Sequence, residues 1–232
     1  MELYHVLSRG VDKRVIFNNN KDYFRFVHNL FVLNDKNSVT ASGYFFNKAD
    51  KSAESFDIAS RKIKEPRKLL VKIHTFCLMP NHYHLLLSPL VEDGIVKFMR
   101  KLNISYAKYF NIKNERKGAL FESRYKSILV KDENHFLYLP YYIHMNPLDL
   151  YSPEWREERI SRPKEAMLFL EKYRWSGLPD YIGIKNFPSV TSRNFLQEVL
   201  GSSKKYQSNF LVNLQEMKEV IGSESFSPLL LE

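Results

Sequence analysis

Apolar and polar positions along the chain change period in a way that marks out its elements. Residues 3 to 9, Leu-Tyr-His-Val-Leu-Ser-Arg, alternate and predict a strand that ends at Gly10. From Lys21 to Leu33, Tyr23, Phe24, Val27, Leu30 and Phe31 recur at helical spacing, with Asn20 or Asp22 as the cap. Residues 34 to 68 break this pattern. Val39 to Phe46 predicts a short strand, and Asn47 to Lys68, rich in Lys, Ser, Ala, Glu and Arg, predicts an insertion or mobile loop. Leu69 to Met79 and the run after Pro80-Asn81 predict an antiparallel hairpin with a tight turn. Asp93 and Gly94 then open a long helix. Its apolar face is Ile95, Phe98, Met99, Leu102, Tyr106, Tyr109 and Phe110, and Lys97, Arg100, Lys101, Lys108 and Lys113 lie elsewhere around it.

Gly118 to Val130 predicts a strand pair or a bent strand, with Arg124 and Lys126 on one side if it is extended. Asp132 is positioned to cap a helix through His135, Phe136, Leu139, Tyr142 and Ile143 to about Asn146, where Pro147 stops it. Pro140 lies inside this helix and predicts a kink or a restart. In either case Tyr142 and Asn146, four apart, share a face. Beyond Pro147, helices are expected within Trp155 to Tyr173, at Thr191 to Leu200 capped by Thr191 or Ser192, and at Lys204 to Ile221 with Phe210, Leu211, Leu214 and Met217 inward. Gly201 to Lys205 is the expected hinge there, and Gly222 to Glu232 a loosely held tail. The pattern sums to an α+β fold: a small antiparallel sheet, helices on one face, and a helical C-terminal extension.

Composition narrows the chemistry. The single cysteine, Cys77, excludes an internal disulfide framework and a cysteine-based zinc site, and its apolar setting predicts a buried, inert thiol. Nowhere do about eighteen apolar residues run on, and the charged N-terminus lacks a signal-peptide core, so a soluble cytoplasmic protein with no membrane partner is expected. A formal charge of +9 favours a polyanionic partner, and 14 tyrosines and 17 phenylalanines supply rings for bases to stack on. Arg124 and Lys126 are the leading phosphate contacts, and Arg100, Lys101 and Lys108 offer a backbone track.

One stretch carries candidate chemistry. In Leu-Met-Pro-Asn-His-Tyr-His-Leu-Leu-Leu, residues 78 to 87, His82 and His84 stand two apart on a strand and leave from the same face, a two-toothed ligand for a metal. Alone, such a pair more often fills polar positions on a half-buried strand. Together with Tyr-Ile-His-Met-Asn-Pro at 142 to 147, roughly sixty residues downstream, it resembles the single-tyrosine HUH transposases, especially the REP-associated tyrosine transposases. Tyr4-His5-Val6 through Ser8-Arg9-Gly10, Gly118 to Ser127, Arg174-Trp175-Ser176 and Tyr181-Ile182-Gly183 also match in order. Where that family often has an arginine before the tyrosine, this chain has Tyr141.

The resemblance implies a ferredoxin-like HUH nuclease domain over 1–150 with an insertion at 34–68, and an extension over 151–232. It implies His82, His84 and Asn146 as ligands of Mg2+ or Mn2+, and Tyr142 as the nucleophile of a covalent 5'-phosphotyrosine intermediate. The substrate implied is single-stranded or hairpin DNA in the nucleoid, handled by a monomer or by a homodimer sharing sites in trans. Tyr138, Tyr141 and His144 are expected to pack rather than react. Two other functions fit the same residues: a DNA- or RNA-binding module in which the histidines are structural, and a metal-dependent nuclease that uses activated water.

Overall fold

In the computed structural model, which describes residues 1–37, 44–46, 53–57, 62–63, 67–157 and 160–221, the alternating N-terminal run is strand β1 (Tyr4–Arg9). Helix α1 (Asn20–Val32) follows, and its cap is Asn19, whose side chain accepts from the Lys21 N–H. The predicted cap Asp22 is instead buried and accepts from Tyr109 Oη and Lys113 Nζ, tying α1 to the helix across from it. Strand β2 (Tyr44–Phe46) falls within the predicted short strand, and the stretch after it, expected to be an insertion or mobile loop, contains β3 (Ala53–Asp57) and β4 (Lys62–Ile63), the three paired as an antiparallel meander. Residues 38–43, which include the first part of the strand predicted from Val39, lie outside the described ones.

Strands β5 (Val71–Met79) and β6 (His82–Pro89) form the predicted hairpin around Pro80-Asn81. Helix α2 (Gly94–Lys113) buries the predicted stripe, with Phe98, Met99, Leu102 and Tyr106 fully enclosed. Asp93 stands at its start in a left-handed conformation without a side-chain cap. Only Lys126–Leu129 of the next segment is a strand, β7. All neighbours in the sheet run antiparallel in the order β5-β6-β1-β7. Leaving the meander aside, the chain order β-α-β-β-α-β is that of a ferredoxin-like unit.

Helix α3 (Glu133–Met145) begins where Asp132 accepts from the N–H groups of Asn134 and His135, and it continues through Pro140 without restarting. The later helices are α4 (Pro163–Lys172), α5 (Leu178–Tyr181), α6 (Asn194–Leu200) and α7 (Ser203–Ile221). Leu211 is on the outside of α7, not in its buried face, which is Tyr206, Phe210 and Leu214. The N-terminal neighbour of α6 is Arg193, and neither Thr191 nor Ser192 caps it. Residues 222–232, expected to be a tail, lie outside the described ones.

Helices cover both faces of the sheet, not one. Val6, Phe76, Tyr83, Leu85 and Leu87 pack with α1 and α2, whereas Cys77, Met79 and Leu86 pack with α3 and the helices after residue 150. The unbroken run Leu85-Leu86-Leu87 is the signature of a strand buried on both sides. The C-terminal helices thus share a core with the sheet rather than forming a separate one. Among the described residues no helix is long and apolar enough to cross a membrane.

Buried histidines make this fold acid-sensitive. Burial lowers His5 and His144 to about 3 and His74 to about 4 from an ordinary 6.5. Unfolding therefore takes up protons below pH 6.5. Stability is fully present above that value and is lost as pH falls toward the folded-state values, by up to about 1.4 kcal/mol per pH unit for each such imidazole. The urea midpoint is expected to be clearly lower at pH 5.5 than at pH 7.5. An unchanged midpoint would contradict neutral burial of these rings.

Candidate active site

Register decides which strand residues meet α3. His82 pairs with Arg9 and Met79, and His84 with Leu7 and Cys77, so His5, Leu7, Arg9, His82 and His84 all leave from the face that α3 covers. His84 is fully buried and His82 is 8% exposed at the edge of a cavity of about 450 Å³. Arg9, Asn81, Asn146, Asp149 and Arg156 also border that cavity. Burial lowers His82 to about 4 and His84 well below 6.5, so both are neutral at pH 7 and keep a lone pair to give.

Tyr142 comes across from α3 onto the histidines. Its ring stands edge-on to His84 at 6.0 Å and to His5 at 6.4 Å between centroids. Tyr141 points the other way and stacks on Tyr206 of α7 at 4.8 Å, so helical geometry separates the doublet as expected. His144 is also structural: its ring nitrogens bond Thr75 Oγ1 at 2.5 Å and Tyr206 Oη at 2.9 Å. Asn146, fully buried, closes the helix by donating Nδ2 to the Tyr142 carbonyl at 2.8 Å.

An arginine that sequence reasoning passed over completes the arrangement. Arg156, in the turn Pro153–Arg156, donates to Tyr142 Oη at 3.0 Å and to Asn146 Oδ1 at 3.1 Å, and pairs with Asp149 at 3.0 Å. Trp155 Nε1 holds the same carboxylate at 2.6 Å, and the guanidinium lies 5.3 Å from the centre of the Tyr142 ring. Burial pushes the Tyr142 phenol above its ordinary value, and the Arg156 charge and hydrogen bond pull against that. Arg156 carried no local signal, because it lay within Trp155 to Tyr173, a charge-rich stretch read only as containing a helix. Nor was His5, whose Nε2 is 2.9 Å from His84 Nδ1, given a role of its own.

The expected phosphate contacts do not form one patch. Lys126 pairs in register with Leu7, so it projects from the histidine-bearing face and is exposed. Arg124 is exposed in irregular chain before β7 and shares a groove of about 910 Å³ with Arg100 of α2, on the other side of the sheet. Lys101 is tied to the carbonyls of Asp35 and Asn37 at 2.5 and 3.2 Å, and Lys108 borders a depression with Arg25 and Lys113. The track expected along α2 therefore lies on the sheet face away from Tyr142.

Among the described residues no three His, Cys, Asp or Glu side chains group around one point. The cation donors on hand are thus the two imidazoles and the Asn146 amide. They fit a cation in two respects: His84 Nε2 is buried with no hydrogen-bond partner, and one of the two Asn146 Oδ1 lone pairs remains after Arg156 takes the other.

A search of curated proteins and a search of solved structures each find no match. A family model described as Transposase IS200 like matches residues 44–146, just under half of the chain. That stretch contains His82, His84, Tyr142 and Asn146 and leaves out His5 and Arg156. The match supports the transposase family, and with it a DNA-cleaving enzyme, as the setting for the geometry around Tyr142.

Proposed function

We propose that this chain is a metal-dependent single-strand DNA endonuclease and strand transferase, closest to the REP-associated tyrosine enzymes, acting on single-stranded or hairpin DNA. The observation that carries this reading is the Tyr142 hydroxyl bonded to Arg156, which lines a cavity with Arg9, His82 and Asn146, while the Tyr142 ring stands against His84. A divalent cation, Mg2+ or Mn2+, would be held by His82, His84 and the Asn146 oxygen. Once bound it would supply Lewis-acid polarisation of a scissile phosphate.

The rest falls to the chain's own side chains. A phenol with a pKa near or above about 10 is a weak nucleophile until its oxygen gains negative character. Arg156 places a positive charge on that oxygen in a buried setting, where it acts strongly and needs no rearrangement. Tyr142 Oη then forms the bond to phosphorus as the bond to the 3'-oxygen breaks. The phenolic proton passes to solvent, the departing 3'-oxygen takes one up, and a 5'-phosphotyrosine and a 3'-hydroxyl result. Because a phenolate leaves readily, a second 3'-hydroxyl can reverse the step on another strand. Arg9 and Lys126, on the same sheet face, are suited to phosphates entering and leaving the cavity.

The test is a denaturing gel after incubation with labelled hairpin DNA and Mn2+. A covalent protein–DNA species is expected. Cleavage without one would point to activated water, and binding without cleavage to a DNA-binding module. A companion result separates the lysines: Lys126→Ala is expected to reduce the salt slope of single-strand binding by about 0.7. Lys101→Ala, which releases Asp35 and Asn37, should lower thermal stability and leave that slope unchanged.

A further inference from the structure

Each of the two histidines on β6 is hydrogen-bonded through its Nδ1. His82 Nδ1 lies 2.6 Å from Asn81 Oδ1. The Asn81 amide is oriented by its Nδ2, which donates to the Lys13 carbonyl at 3.3 Å. An amide oxygen only accepts, so His82 carries its proton on Nδ1 and its Nε2 lone pair is open. His84 Nδ1 lies 2.9 Å from His5 Nε2, and His84 Nε2 is buried without a partner.

For the second pair two proton arrangements compete. If His84 donates from Nδ1, its Nε2 offers a lone pair and His5 keeps an unpaired Nδ1–H. If His5 donates from Nε2, His84 must carry its proton on Nε2, and His5 Nδ1 is left with the unpaired lone pair. Each arrangement leaves one donor and one acceptor unmatched, so hydrogen-bond counting does not choose between them. A cation does choose, because only the first offers it a lone pair.

We propose that His5 is a positioning residue: it accepts from His84 Nδ1–H and so presents His84 Nε2, alongside His82 Nε2 set by Asn81, to a divalent cation. The proposal rests on the metal-dependent reading above. It gives the N-terminal strand, which lies outside the family match, a part in the site. His5 touches no reacting atom and acts only through His84. Partners on the far nitrogen of a ligating imidazole fix its tautomer, and their loss typically weakens metal affinity 10- to 100-fold.

The test uses the full chain and Mn2+ or Mg2+ alone. Calorimetric Mn2+ affinity is compared for the unmodified protein, His5→Leu and His5→Gln, whose side-chain oxygen can still accept from Nδ1–H. His5→Leu is expected to bind at least about tenfold more weakly and His5→Gln to recover most of the loss. Histidine ring nitrogen spectra during a Mg2+ titration are expected to show His84 protonated at Nδ1 in the bound form. That spectrum needs no variant and stands even if His5→Leu fails to fold. Mn2+ uptake that His5→Leu leaves unchanged, or a metal-bound His84 protonated at Nε2, overturns the proposal alone. An unmodified protein that takes up no Mn2+ removes the metal-dependent reading as well.

Discussion

Replacing Tyr142 by phenylalanine is expected to abolish the covalent DNA adduct and to slow strand cleavage by at least about 10³-fold, since the oxygen that would bond to phosphorus is gone. The change removes one oxygen and with it the Arg156 contact; the ring still packs edge-on against His5 and His84. The fold is therefore expected to survive at a cost of about 1.5 to 3 kcal/mol, the range for a hydrogen bond to a charged group. Tyr141→Phe supplies the control. Tyr141 faces Tyr206 and Phe210, so its variant should form the adduct at the unmodified rate. An adduct that persists in Tyr142→Phe and disappears in Tyr141→Phe would reverse the assignment.

Arg156→Met is expected to lower the single-turnover rate of adduct formation by roughly 10²- to 10³-fold, the usual cost of removing one preorganised donor from a developing charge. Burial and the Asp149 charge would then raise the Tyr142 phenol with no arginine to oppose them, so the rate should also need a higher pH to reach its plateau. Arg156→Lys should recover little. One guanidinium bridges Tyr142, Asn146 and Asp149 together, which a single ammonium cannot do. Thermal stability should fall at least as far as in Tyr142→Phe, because the same Tyr142 hydrogen bond is lost, while the Asp149 pair, about a third exposed, adds little. A full rate in Arg156→Met would remove this residue from the chemistry.

Much of this arrangement was legible along the chain because it follows local rules. Period-two alternation with Pro80-Asn81 marks the hairpin, which places His82 and His84 on one face of a central strand. A stripe of seven apolar residues marks α2, and Asp132 marks the start of α3. Pro140 looked disruptive, yet α3 continues through it. What escaped depends on contacts between distant parts. Which side of the sheet α3 covers is decided by the packing of Cys77, Met79 and Leu86 with later helices, and no single helix records that. Lys101 looks like a free cation in sequence, but two carbonyls sixty-odd residues away engage it. His5 and His84 are 79 residues apart, and strand parity alone could have placed them on one face only once the register was known.

The Tyr142 side chain is only 1% exposed, and the guanidinium on its oxygen borders the cavity, whereas the tyrosine does not. A phosphodiester entering from solvent meets that guanidinium before it meets the phenol, and its anionic oxygen is a stronger partner for arginine than a neutral hydroxyl. A guanidinium has five N–H donors, so Arg156 can meet the phosphate without letting go of the phenol. On the proposed mechanism, stray electrophiles are thereby kept from the phenol until a phosphate occupies the cavity.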